Sequence, residues 1–255
     1  MTALRVERDG AVATVVIDRP PANAVDPDSI EEFIGVLPTL ATDESVRCVV
    51  LRGAGRFFVA GADIAVMRRL TPETYTAMRR WLVVQRQLEQ LPKPVIAALN
   101  GHALGGGGEL ALACDLRLMA ESATIGFPEM GLGLFPGAGG SQRLPRLLGP
   151  HRAKLLMIEG TRLRAADALA LGLVDEVVPD ADFDATVRER ARAWAAKPTT
   201  TIALLKQAID EGYGRGLDEA LAVEEAAVMA VIRTDDAREG LQAFLDKRAP
   251  TFVGH

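Results

Sequence analysis

The chain has 255 residues, 49% hydrophobic and 25% charged, with 29 basic against 34 acidic side chains for a net charge of -5. That length holds one large domain or a domain with an appendage, and the apolar content excludes an intrinsically disordered chain. The acidic balance disfavours a nucleic-acid partner; no apolar run approaches the ~18 residues that span a bilayer, so a cytoplasmic protein is expected.

The opening "MTALRVERDGAVATVVIDRP" alternates in character and predicts two strands around Asp9-Gly10, not a signal sequence. In "PPANAVDPDSIEEF", Ser29 and Glu32 form a capping-box pattern that opens a helix to about Leu40. "RCVVLRG" predicts a strand ending at Gly53, and Thr71, Pro72 and Glu73 supply the N-cap, N1 and N2 of a helix to about Gln90. "KPVIAALNG" is another short apolar strand. Such alternation argues for an α/β core with parallel strands.

From Asp115 onward, "DLRLMAE" and "ATIGF" are short strands, followed by the glycine-rich "MGLGLFPGAGGSQRLPRLLG". Beyond Pro150 the pattern is mostly helical: "HRAKLLMIEG", "AADALALGL", the strand "VDEVVP", then periodic helices from about Asp182 to Lys247. Pro198 and "EGYGRG" punctuate them. A boundary near residue 195 separates a core, 1–195, from a helical C-terminal region, 196–255. The alanine- and valine-rich "LDEALAVEEAAVMAVI" calls for burial, either on the parent domain or against a second subunit. Cys48 and Cys114 lie in apolar settings and read as buried free thiols. His102, His151 and His255 make no metal spacing with them, so no metal site is expected.

Three loops carry chemistry. In "FFVAGADI", Ala60-Gly61-Ala62-Asp63 leaves a strand end bare of bulky side chains; its N–H groups either serve a ligand or form a plain loop with Asp63 capping a helix. In "GGGGELALACD", Glu109 falls in the first turn of an apolar helix. It either stabilises the helix start through the macrodipole or is a buried acid that needs a partner or a polar cavity. Gly106, Gly108 and Ala111 also fit G-x-G-x-x-A, but about 95 residues precede them, which argues against a dinucleotide fold. In "IGFPEMGLGLFPGAGGSQRL", Pro128 stiffens the approach to Glu129, which is either a surface loop acid or one surrounded by Met130, Leu132, Leu134 and Phe135. Desolvation by those apolar groups would raise its pKa towards neutrality. Two acids on glycine-rich turns are placed to meet across a pocket.

In this order and spacing, "FFVAGADI", "GHALGGGGELALACDLRLMAE" and "IGFPEMGLGLFPGAGGSQRLPRLLG" resemble the enoyl-CoA hydratase/isomerase (crotonase) superfamily, and most of all its enoyl-CoA hydratases. "ALALGLVDEVVP" and "TDDAREGLQAFLDKR" extend the likeness over nearly the whole chain. The resemblance implies an α/β fold with a crotonase-like ββα spiral core and a C-terminal helical trimerisation region, giving a homotrimer or a hexamer built as a dimer of trimers. It implies an acyl-CoA substrate and an oxyanion hole formed by the N–H groups of Ala62 and Gly106. Glu109 and Glu129 match the two glutamates that hold the catalytic water in such hydratases, which implies reversible syn hydration of trans-2-enoyl-CoA to 3-hydroxyacyl-CoA. A Δ3,Δ2-enoyl-CoA isomerase or another crotonase-fold acyl-CoA enzyme is the alternative. No separate cofactor is implied, because coenzyme A is part of the substrate. "RPPANAV" is one residue shorter than the family's R-P-K-x-x-N pattern and lacks its lysine, and Ala65 stands where a second basic residue occurs. The CoA contacts implied are then Arg56, Ala60, Asp63 and Ile64, with Phe244 and Lys247 from a neighbouring subunit.

Overall fold

In the computed structural model, which describes residues 2–69 and 71–255, the chain begins as an antiparallel hairpin of β1 (Leu4–Asp9) and β2 (Val12–Ile17). Helix α1 (Pro27–Thr42) starts earlier than the Ser29/Glu32 pattern predicts. Asp26 is its N-cap: the Ser29 amide donates to Asp26 Oδ1 at 2.9 Å, and the Asp26 amide donates to Ser29 Oγ at 3.0 Å. An acid followed by proline at N1 is the stronger start signal. Glu32 instead accepts the amides of Ala3 and Leu4, pinning the first strand.

Three similar units follow. The first is β3 (Cys48–Gly53), β4 (Phe57–Val59) and the helices α2 (Ile64–Met67), α3 (Pro72–Arg79) and α4 (Trp81–Glu89). The second is β5 (Val95–Leu99), β6 (His102–Leu104) and α5 (Gly106–Leu112). The third is β7 (Leu116–Ala120), β8 (Thr124–Gly126), a 3-10 turn (Pro128–Leu132), α6 (Gly140–Leu148) and α7 (Pro150–Glu159). β9 (Arg162–Arg164), α8 (Ala165–Leu171) and β10 (Glu176–Val178) close the core. The first strand of each unit enters a six-stranded sheet ordered β1-β2-β3-β5-β7-β10, and the second enters a four-stranded sheet ordered β4-β6-β8-β9.

Chemistry and packing explain this division. β5, "VIAAL", is buried at every residue and lies inside the larger sheet between parallel neighbours, as a strand covered on both faces should. Asn100 ties successive units together, accepting the Gly53 amide at 2.8 Å and donating to the Gly55 carbonyl at 3.0 Å. Because β4, β6 and β8 are adjacent and parallel, their C-terminal ends open on one edge of the small sheet. The segments that leave those ends contain Ala62, Gly106 at the start of α5 and Glu129 on the 3-10 turn.

The helix predicted from Thr71 begins there, with Thr71 Oγ1 accepting the Thr74 amide, but it divides at Arg80 into α3 and α4. At that junction Arg80 pairs with Glu31 on α1, and Trp81 is buried edge-on against Phe33. Tertiary anchoring of two adjacent side chains thus bends a sequence that is locally helical throughout. Leu70, just before this helix, lies outside the described residues.

Helix α9 (Phe183–Ala195) packs on the large sheet, and α10 (Thr199–Gly212), α11 (Leu217–Val231) and α12 (Asp235–Asp246) follow. α10 and α11 pack on each other. The region is tied to the core by Arg47, which donates to Thr199 Oγ1 and the Lys197 and Phe252 carbonyls, and by a Lys206–Asp115 ion pair at 2.7 Å. Despite its apolar sequence, α11 buries none of its described residues, and Leu205, Ile209, Leu221, Val228 and Ile232 are exposed.

Candidate active site

At the end of β4, Val25 forms a parallel bridge to Ala62: its amide donates to the Gly61 carbonyl, and its carbonyl accepts the Asp63 amide, both at 2.8 Å. In that pattern the bridged residue's own N–H points to the opposite side. On that side run Gly105 and Gly106, close enough that a Cβ on Gly61 would stand 3.5 Å from the Gly106 nitrogen. Gly106 is the first residue of α5, so its amide has no intrahelical acceptor. Trp81 Nε1 donates to the Gly106 carbonyl at 3.2 Å and fixes this turn from behind.

Gly105 is required here. Its φ of +53° and ψ of -120° suit only glycine, and a Cβ would come within 2.8 Å of Glu129 Oε1. Gly107 is equally tight, since a Cβ there would stand 2.1 Å from the Val59 carbonyl oxygen. The glycine run therefore lets a helix start against β4 while a carboxylate lies against its N-cap.

Glu109 is 2% exposed. Its Oε1 accepts the Ala138 amide at 2.9 Å and the Gly140 amide at 2.8 Å. Burial raises its pKa, opposed by these two amides and by the charge of Arg143. Glu129 sits on the 3-10 turn after β8, half-buried, with its Oε2 enclosed and without a hydrogen-bond partner. Burial, supplemented by the negative charge of Glu109, pushes its carboxyl up to about 7. The apolar residues expected around it do not supply that burial: Met130, Leu132, Leu134 and Phe135 are exposed, the last 64% so. The close backbone of Gly105 covers the carboxylate instead.

The other sequence-derived positions separate into groups. Ala60, Asp63 and Ile64 flank Ala62. Asp63 turns its carboxylate away into structure: it caps α2 through the Ala65 amide and pairs at 2.8 Å with Arg19, which also pairs with Asp26. The Arg19 hydrogen bond holds its carboxyl below the usual range. Ile64 is exposed. Arg56 is not brought to the glutamates; it lies before β4, at the strand end opposite Ala62, and lines a separate open cavity of about 540 Å³ with Arg52, His102, Asp180 and Asp184. Phe244 and Lys247 stand exposed at the end of α12, Lys247 as its C-cap.

Sequence reasoning missed the Ala138 and Gly140 amides and the Arg143 guanidinium beside them. The available signal was the second glycine-rich segment, "PGAGG", placed immediately before a helix, where free N–H groups attract an anion. Cys48 and Cys114 are buried free thiols, each pushed up to about 12 by burial. Among the described residues, no group of three His, Cys, Asp or Glu side chains is arranged to hold a metal ion.

Two carboxylates and two outward amides thus converge at the ends of three parallel strands. The model of a family described as enoyl-CoA hydratase/isomerase matches residues 7–255. The chain belongs to the enoyl-CoA hydratase/isomerase family. A short-chain-enoyl-CoA hydratase of Clostridium acetobutylicum is 41% identical over 248 residues, 95% of this chain and 94% of that protein. A crotonyl-CoA hydratase of Syntrophomonas wolfei is 39% identical over 97% of this chain and 96% of its own. The crystal structure of an enoyl-CoA hydratase from Bacillus anthracis superposes with a TM-score of 0.95 at 40% identity, covering 100% of both chains. Accordingly, the paired-strand units described above form a crotonase-like fold, with the family's C-terminal helices appended.

Proposed function

We propose that this family member catalyses reversible syn hydration of trans-2-enoyl-CoA thioesters to 3-hydroxyacyl-CoA. The observation that carries this reading is the pair Glu109 and Glu129: one carboxylate is fixed by two amides, and the other is raised to about 7 beside it. The enoyl-CoA and crotonyl-CoA hydratase names of its relatives support the same class of substrate.

In this mechanism the thioester oxygen accepts hydrogen bonds from the Ala62 and Gly106 amides, which stabilise the enolate as charge develops. Glu109 accepts a proton from the water as its oxygen bonds to C3, and protonated Glu129 delivers a proton to C2. The pair begins and ends with one proton, moved from Glu129 to Glu109, and that proton must return before the next turnover. Coenzyme A arrives as part of the substrate, so the reaction needs no separate cofactor. Exposed Met130, Leu132 and Phe135 beside Glu129 offer an apolar wall to the acyl chain. The exposed apolar faces of α10 and α11 support assembly into a homotrimer or a dimer of trimers through the region 196–255. In such an assembly Phe244 and Lys247 would approach the CoA moiety bound to an adjacent subunit.

The test is direct. Crotonyl-CoA should lose its enoyl-thioester absorbance when mixed with the protein. Absence of turnover on short- and medium-chain 2-enoyl-CoA substrates, with conversion of a 3-enoyl-CoA instead, would replace hydration by isomerisation.

A further inference from the structure

Arg143, on α6, occupies the space behind Glu109 without touching it. Its Nε donates to Glu89 Oε1 and its Nη1 to Gln85 Oε1, both at 2.5 Å and both on α4. Nη1 also reaches the Ala138 carbonyl at 3.5 Å. The chain between Ala138 and Gly140 lies directly on the guanidinium: Gly139 has a φ of +104°, and a Cβ there would stand 1.8 Å from Arg143 Nη1. The amides on either side of that glycine are the two that hold Glu109 Oε1. We propose that Arg143, braced by Glu89 and Gln85, is a positioning residue that fixes the Ala138–Gly140 loop and thereby aims the Glu109 carboxylate at the reacting bond.

The proposal rests on the hydratase reading for its kinetic consequence, but the structural argument is independent of it. Gln85 is fully buried and leaves its Nε2 without a partner while its Oε1 faces Arg143. The opposite amide orientation would set two donors against a guanidinium that can only donate. The Arg143 contact therefore sets the orientation of the Gln85 amide. The Arg143 side chain is only 15% exposed and that of Glu89 23%, unlike a solvated surface pair. A lysine supplies charge here but lacks the planar fork that engages Glu89 and Gln85 together.

The charged groups facing this network are Glu109 and Glu129 at the site, Arg143 on α6, Arg86 and Glu89 on α4, and Asp210, Lys206 and Asp115 behind them. Removing Arg143 takes a positive charge away from Glu109, whereas Glu89→Gln keeps that charge and removes only its brace. Both loosen the amides that favour the ionised Glu109, so both act on it in the same direction.

The experiment uses Arg143→Met, Arg143→Lys and Glu89→Gln in the full chain. Hydration of crotonyl-CoA is followed across pH, and the Glu109 carboxyl is titrated by infrared difference spectroscopy, its band identified by loss in Glu109→Gln. Arg143→Met should lower kcat roughly 10- to 100-fold, as misplacement of a reacting group does, with KM within about twofold. Its Glu109 midpoint should move to higher pH, and that of Glu89→Gln should move the same way by less; Arg143→Lys should recover only part of kcat. A Glu109 midpoint that stays in place or moves to lower pH in Arg143→Met or in Glu89→Gln overturns the proposal whatever happens to kcat. If Arg143→Met fails to fold, Glu89→Gln decides, and an unmoved Glu109 midpoint in it overturns the proposal. A wild-type protein that does not hydrate enoyl-CoA refutes the functional reading alone, because the infrared titration still decides the positioning role.

Discussion

Glu109 has one carboxylate oxygen held by two backbone amides, while Glu129 keeps Oε2 buried and unpartnered. Fixed donors favour the charged form and an unpartnered oxygen the neutral one, which is why Glu109 is given the base role and Glu129 the proton at the start of hydration. Glu129→Gln and Glu109→Gln should each lower kcat for hydration by at least ~10²-fold, the lower range of general acid–base effects. The pH dependence has a definite sign. With its carboxyl at about 7, Glu129 is protonated below that value, so kcat/KM for hydration should fall as pH rises through 7. That for dehydration should fall in parallel, because the pair carries one proton in either direction and the overall reaction releases none. Stability follows the same linkage. Because the pKa is raised from its ordinary 4.5, the folded state binds more protons between 4.5 and 7, and this contribution is lost as pH climbs through that window. Glu129→Gln escapes the penalty and should gain on the order of 1–3 kcal/mol relative to wild type at pH 8 compared with pH 4, measured by urea unfolding.

At the level of elements, the site depends on how tightly α5 starts against its neighbours. Gly105→Ala would force a side chain into a positive-φ position and against Glu129. The expected result is destabilisation of about 1–3 kcal/mol, with kcat reduced more than KM is raised; an unchanged melting temperature and kcat would contradict it. Features legible in the sequence were those with a local cause: the hairpin at Asp9-Gly10, the Thr71 cap, and the glycine run that opens α5. The earlier start of α1 at Asp26 is equally local: the Asp-Pro signal stands just before the Ser29/Glu32 pattern and outranks it. The division of α3 from α4 was not legible, because it follows from Arg80 meeting Glu31 and Trp81 meeting Phe33 across the fold. The same holds for Ala138, Gly140 and Arg143, whose tie to Glu109 spans about thirty residues of chain. A periodic pattern reports which face is apolar but not which partner it meets.

Across the whole molecule, the repeated strand pairs bring three loop ends to one edge, whereas the C-terminal helices leave an apolar surface uncovered. That "LDEALAVEEAAVMAVI" calls for a covering layer was legible from composition; that the parent core does not provide it required the structure. Sedimentation velocity should find three or six copies, and Ile209→Asp with Val228→Asp should shift the protein towards monomer. A wild-type protein that sediments as a monomer would refute assembly through this face.

The central claim is that one water is worked by two glutamates in different states. Its most direct measurement is the initial rate of crotonyl-CoA hydration by wild type, Glu109→Gln and Glu129→Gln, each confirmed folded by circular dichroism. Rapid loss of the enoyl-thioester absorbance in wild type and a fall of at least ~10²-fold in both variants are predicted. Wild-type rates in either variant, or no hydration by the native protein, would contradict the account.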